Sequence, residues 1–234
     1  MSLPLVAIAG GVLGLALVVA AGPLYRAGAP LLVAFGGLGL GALLGAVAAL
    51  AGIVALVGGW RRGQPVSIPV AAGLVLGLLA FAVPLQRVWA ARGLPAIHDI
   101  STDLQDPPAF QAVLPLREGV NDVIVRPETA DEQRRAYPDI RPLTLAEPAD
   151  AVFARALDVA RDMDWEIVTA DRTSGRIEAT ATTRWFGFRD DVVVRLTPAS
   201  DGGTRVDVRS VSRVGRGDLG ANAARIREFL ANLQ

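Results

Sequence analysis

The sequence predicts two bodies in series: a membrane section of three transmembrane helices, then an α+β two-layer sandwich with a four-stranded antiparallel sheet and two helices. The distribution of charge divides them. The first 98 residues contain neither Asp nor Glu, and all 23 carboxylates lie between Asp99 and Glu228. The front section carries five charges, all Arg (Arg26, Arg61, Arg62, Arg87 and Arg92), between long apolar runs. The remaining 18 Arg face 23 carboxylates, so the rear section is net acidic by five. Periodicity is the second indicator, because from Pro148 onward helical spacing and then two-residue alternation replace the unbroken apolar runs.

A helix needs about 20 apolar residues to cross a bilayer. Leu3 to Leu24, Ala29 to Val57 and Val66 to Leu85 each meet that length without an internal charge. The first run lacks the positive leader of a cleaved signal and its apolar core is too long, so it reads as a span. Glycines recur four apart in each span: Gly10 and Gly14; Gly37, Gly41 and Gly45; Gly73 and Gly77. Small residues along one face let backbones approach closely. That spacing suits packing within the chain and, secondarily, a homo-oligomer seam. No ionisable group lies in the apolar cores, whereas ion paths and proton relays use such groups at membrane depth. The bundle therefore reads as an anchor, residues 1–93.

Residues 94–145 hold seven of the 15 prolines and read as an irregular, extended lead segment packed on the domain. The α+β domain follows at 146–234. Val152, Ala156, Val159 and Met163 mark a helix beginning near Pro148. Strands are expected at Trp165–Ala170, Arg176–Thr183, Arg189–Leu196 and Thr204–Val211, the last two joined through Pro198 to Gly203. Asp218 is the expected N-cap of a final helix with Leu219, Ala223, Ile226, Leu230 and Leu233 on one side.

Composition removes several chemistries. Without Cys there is no thiolate nucleophile, disulfide or Cys-ligated zinc. Every cation is Arg, so Walker-type phosphate loops and Schiff bases have no lysine. No clustered basic footprint points to nucleic acid. No cofactor is implied.

Four candidate sites remain. His98, Asp99, Asp103 and Asp106 offer ligands for a hard cation, although such Asp residues more often close local turns. Trp185, Phe186 and Phe188 surround Gly187 as an apolar cluster, either core or a lipid or ligand contact. Asp190 and Asp191 fall on opposite faces of one strand and so cannot serve one bond together; pairing with Arg189, Arg209 or Arg213 is the plainer expectation. Arg213, Arg216, Asp218, Asn222 and Arg225 gather around a Gly-rich helix start that suits an anion or a partner.

Three segments carry a family resemblance. His98-Asp99-Ile100-Ser101-Thr102-Asp103 with Asp106-Pro107-Pro108 and Phe110, then Trp185 to Arg195, then Val206 to Asn222, resemble motifs of domain of unknown function 1499, in a membrane-anchored form. The resemblance covers roughly Pro95 onward and implies no agreed activity. Family members of lipoprotein-like or plastid-lumen type imply an extracytoplasmic domain. The expectation is an uncharacterised multi-pass protein of the bacterial inner membrane whose periplasmic domain binds an envelope partner, a lipid or a small anion without catalysis. The alternative is a metal- or carboxylate-dependent hydrolase using His98, Asp99, Asp103 and Asp106.

Overall fold

A computed structural model describes residues 2–117, 120–200 and 202–234. Asp201, within the link expected between the last two strands, lies outside the described residues. The chain divides into two compact units: the residues up to Arg92 with Arg184–Gly187, and Gly93–Thr183 with Phe188–Gln234.

The first unit is built from α1 (Leu3–Arg26), α2 (Leu31–Arg61) and α3 (Ile68–Ala90), three helices long and apolar enough to cross a membrane. Pro4 and Pro69 sit in the first turns of α1 and α3, where the missing N–H costs nothing. Glycine brings the three backbones together. A Cβ on Gly14 would lie 2.8 Å from the Gly41 carbonyl oxygen, and one on Gly45 would lie 2.7 Å from both the Gly77 oxygen and the Ala80 Cβ. The same holds between Gly11 and the Gly73 oxygen, at 2.7 Å. Of the spaced glycines, Gly37 alone has nothing within 4 Å of its Cβ position. The spacing thus serves packing within the chain at every one of these positions except Gly37.

The second unit is α+β, with an antiparallel sheet of six strands rather than the four expected. Its four long strands are β3 (Glu166–Asp171), β4 (Arg176–Thr182), β5 (Arg189–Pro198) and β6 (Thr204–Ser212), paired in that order. Two three-residue strands from the lead segment, β1 (Asp99–Ser101) and β2 (Leu143–Leu145), lie end to end along β6. Between them the lead also forms α4 (Pro127–Ala136), so it is not simply extended. Proline density hid these elements, since three-residue strands are too short to show alternation.

Helices α5 (Ala149–Asp162) and α6 (Ala221–Leu233) pack on the strands and close the main core. Ile177, Ala179, Val192, Val194, Val206 and Val208 meet Val152, Ala156, Ile226 and Phe229 there, and Trp165 stacks on Phe229 at 5.1 Å. Helix α6 begins later than expected. Gly220, at φ +82°, is its N-cap, and Leu219 stands outside it, 70% exposed. Asp218 acts from two residues upstream, accepting the N–H groups of Gly220 and Asn222 at 2.8 Å each.

The opposite sheet face is covered as well, which departs from a two-layer plan. Phe110, Val113 and Val123 of the lead form a second, smaller cluster with Val193 and Val211. The lead also closes the sheet edge. Gln133 of α4 accepts the Ser101 N–H at 2.9 Å and donates to the Ser101 carbonyl at 2.6 Å, acting as one residue of an additional strand. Open strand edges otherwise invite pairing with other chains.

Two outcomes are expected. Gly77→Ala should lower the melting temperature of the full-length protein in detergent, by about 1–3 kcal/mol of overpacking, whereas Gly37→Ala should not. Gln133→Leu strands two buried backbone groups and should cost about 1–3 kcal/mol, read as a lower urea midpoint.

Candidate functional site

Of the four residues offered as cation ligands, the three aspartates are engaged with guanidinium groups. Asp99 takes two hydrogen bonds from Arg209, at 2.9 and 2.6 Å. Asp103 accepts the N–H groups of Gln105 and Asp106 with one oxygen and Arg205 with the other, at 2.7 Å. Burial alone would raise the Asp103 pKa; the N–H groups of Asp106 and Gln105, with Arg205 and Arg195, outweigh it and hold the group below its ordinary value. Asp106 pairs with Arg195 at 2.7 Å. His98 Nδ1 lies 3.3 Å from the Arg216 carbonyl oxygen. Among the described residues no three His, Asp or Glu side chains converge on a metal position. Turn closure and ion pairing account for the Asp cluster.

Alternation along β5 sends Asp190 and Asp191 to opposite faces, and the two fates differ. Asp190, beside the helices, accepts Arg225 of α6 at 2.6 Å. Asp191, on the far face and fully buried, accepts Arg213 at 3.0 and 2.8 Å and the Thr180 hydroxyl at 2.8 Å. It also accepts Arg117, which reaches in from the lead and donates to the Asn121 carbonyl at 2.7 Å. The far face continues in the same chemistry. Asp207 takes Arg195 and Arg205, Arg209 donates also to the Val123 carbonyl, and Glu178 accepts the backbone N–H groups of Gln111 and Val113. This side of the sheet thus combines ion pairs with the small apolar cluster around Val193 and Val211, and the lead covers both.

The group around α6 is therefore mostly internal. Arg213 is committed to Asp191. Arg225 bridges Asp190, the Ser210 hydroxyl and the Asn222 side-chain oxygen, and buried Asn222 donates to the His98 carbonyl and the Ser212 hydroxyl. Asp218 fills the helix start itself; burial raises its pKa, partly offset by the N–H groups of Asn222 and Gly220. Arg216 is exposed, and among the described residues its side chain has no partner.

The aromatic group divides between the two units. Within the helical unit, Trp185 is edge-on to Phe186 at 4.9 Å, and Phe186 stacks on Phe35 at 5.1 Å. Phe188 belongs to the sheet unit, where its N–H and carbonyl bond to Thr183.

One feature was not anticipated from the sequence. An open cleft of about 410 Å³ lies between the Asp103 turn, the end of α4 and β6, with Arg134, Arg141 and Arg205 on its walls beside Thr102 and Gln105. Arg134 pairs with Asp131, and Arg205 with Asp103 and Asp207. Arg141 donates only to the Pro138 carbonyl and faces no carboxylate among the described residues. Its three cations come from chain positions up to 71 residues apart, so no local motif announced it.

Fold and site together define a class: an α+β domain with an ion-paired sheet face, in a chain that carries three membrane-length helices. The family model described as protein of unknown function, DUF1499, matches residues 99–233, and the chain belongs to that family. A search of the curated proteins finds no match.

Removing one partner of a buried ion pair leaves the other unpaired and costs about 3–5 kcal/mol. Arg213→Ala should therefore unfold the domain at much lower urea than Arg216→Ala, which should be close to neutral by tryptophan fluorescence.

Proposed function

We propose that the chain is a bacterial inner-membrane protein that displays its DUF1499 domain on the extracytoplasmic side, where the domain binds a ligand or envelope partner through an anionic group and performs no catalysis. The observation that carries this reading is the open cleft lined by Arg134, Arg141 and Arg205, in which Arg141 meets no carboxylate among the described residues. A guanidinium is built for planar, two-pronged recognition of carboxylate, phosphate or sulfate. Arg216, on the exposed turn before α6, is a second candidate contact.

The engagement of the acidic residues supports binding over hydrolysis. A general acid or base must be free to meet its substrate, and Asp99, Asp103 and Asp106 are each committed to Arg. The outward orientation draws on the lipoprotein-like and lumenal relatives implied by the family resemblance. Counting Arg at the two ends of the bundle does not favour either side.

A photocrosslinking residue at Gln105, which is exposed on the cleft wall, should yield a discrete adduct in intact cells that disappears with Arg141→Glu. An adduct unaffected by that change, or none above background, rejects the site. A C-terminal alkaline phosphatase fusion should be active; a fluorescent cytoplasmic reporter in its place rejects the orientation.

A further inference from the structure

The helical unit has a cleft of its own. It is about 480 Å³ in volume and lies between the first turn of α1, the end of α2 and the first turn of α3. Leu3, Leu56, Trp60, Val66 and Val70 give it apolar walls, and Arg62 is its cation. In a bilayer this end of the bundle is at the interface, the depth that Trp favours. Trp60 is 79% exposed and Val66 70%, so broad apolar surface lies directly beside the charge.

That charge is not neutralised within the unit. No carboxylate exists before Asp99, and Arg184–Gly187 add none. Two of the cations at the other end have partners: Arg26 donates to the Arg184 carbonyl at 2.9 Å, and Arg92 lies 4.3 Å over the Trp89 ring. Arg61 and Arg62 have no side-chain partner among the described residues. The carbonyls ending α2 do not serve them, because Gly59 and Trp60 accept the N–H groups of Arg62, Gly63 and Gln64. The Arg62 guanidinium folds back over Gly58, its nitrogens 3.4 and 3.5 Å from where a Cβ would stand, so glycine makes room for it against the helix.

We propose that this cleft binds a phospholipid with an anionic headgroup, its phosphate on Arg62, with Arg61 adding to the field, and an acyl chain along Leu56, Trp60 and Val66. Charge complementarity selects the headgroup, and the apolar walls select a lipid over a free anion.

The full-length protein in nanodiscs of equal phosphatidylcholine and phosphatidylglycerol provides the test, with retained lipid read by native mass spectrometry. Phosphatidylglycerol should be enriched among the retained lipids. Arg62→Ala should reduce that enrichment about fivefold, and Arg62→Lys, which keeps the charge, should preserve most of it. Equal retention of both lipids by the unaltered protein, or enrichment unchanged in Arg62→Ala, overturns the proposal. Displacement of the lipid by millimolar glycerol 3-phosphate also overturns it, since the acyl chain would then contribute nothing.

Discussion

The sheet unit depends on one constraint: a strand pattern that places carboxylates and guanidinium groups on the side opposite the helices, and then removes that side from water. A buried carboxylate is costly unless its charge is matched and its lone pairs are filled. Asp191 meets the condition with two Arg and a Thr hydroxyl. Asp207 meets it with two Arg, and Glu178 with two backbone N–H groups. Arg suits the task better than Lys, because its planar fork spans both oxygens of a carboxylate and is less strongly hydrated. The absence of Lys from the whole chain is consistent with that use.

The lead segment satisfies the constraint in two ways. Phe110, Val113 and Arg117 cover the charged face, while β1, β2 and Gln133 complete its edge. The membrane unit solves a different problem. Lipid offers helices no hydrophobic reward for pairing, so contact must come from close packing. Glycine at Gly14, Gly41, Gly45 and Gly77 supplies it.

What could be read from the sequence follows from the length scale of each signal. Three spans were legible because each is an uninterrupted run, and the four long strands because each runs at least six residues between turn signals. The opposite facing of Asp190 and Asp191 followed from the two-residue period alone. The burial of both did not, because alternating charge ordinarily marks a solvent face, and a single Arg117 in a proline-rich stretch says nothing about where it reaches. Arg213 was legible in two ways, as an ion-pair partner for Asp190 or Asp191 and as an anion contact beside Arg216, and the structure gives it to Asp191. The cleft around Arg141 was invisible because it is assembled from separate stretches of chain.

The pairing of β1 with β6 has a consequence for synthesis on the ribosome. Asp99 is made 110 residues before Arg209, a wait on the order of 5–20 s at ordinary elongation rates. During that interval the lead has no strand to join. The face it will later cover carries ions around a small apolar patch at Val193 and Val211, so most of the nascent sheet can stay hydrated instead of clumping. Ionic lining thus gives a late-closing structure a safe waiting state, which an oily lining of equal area would not.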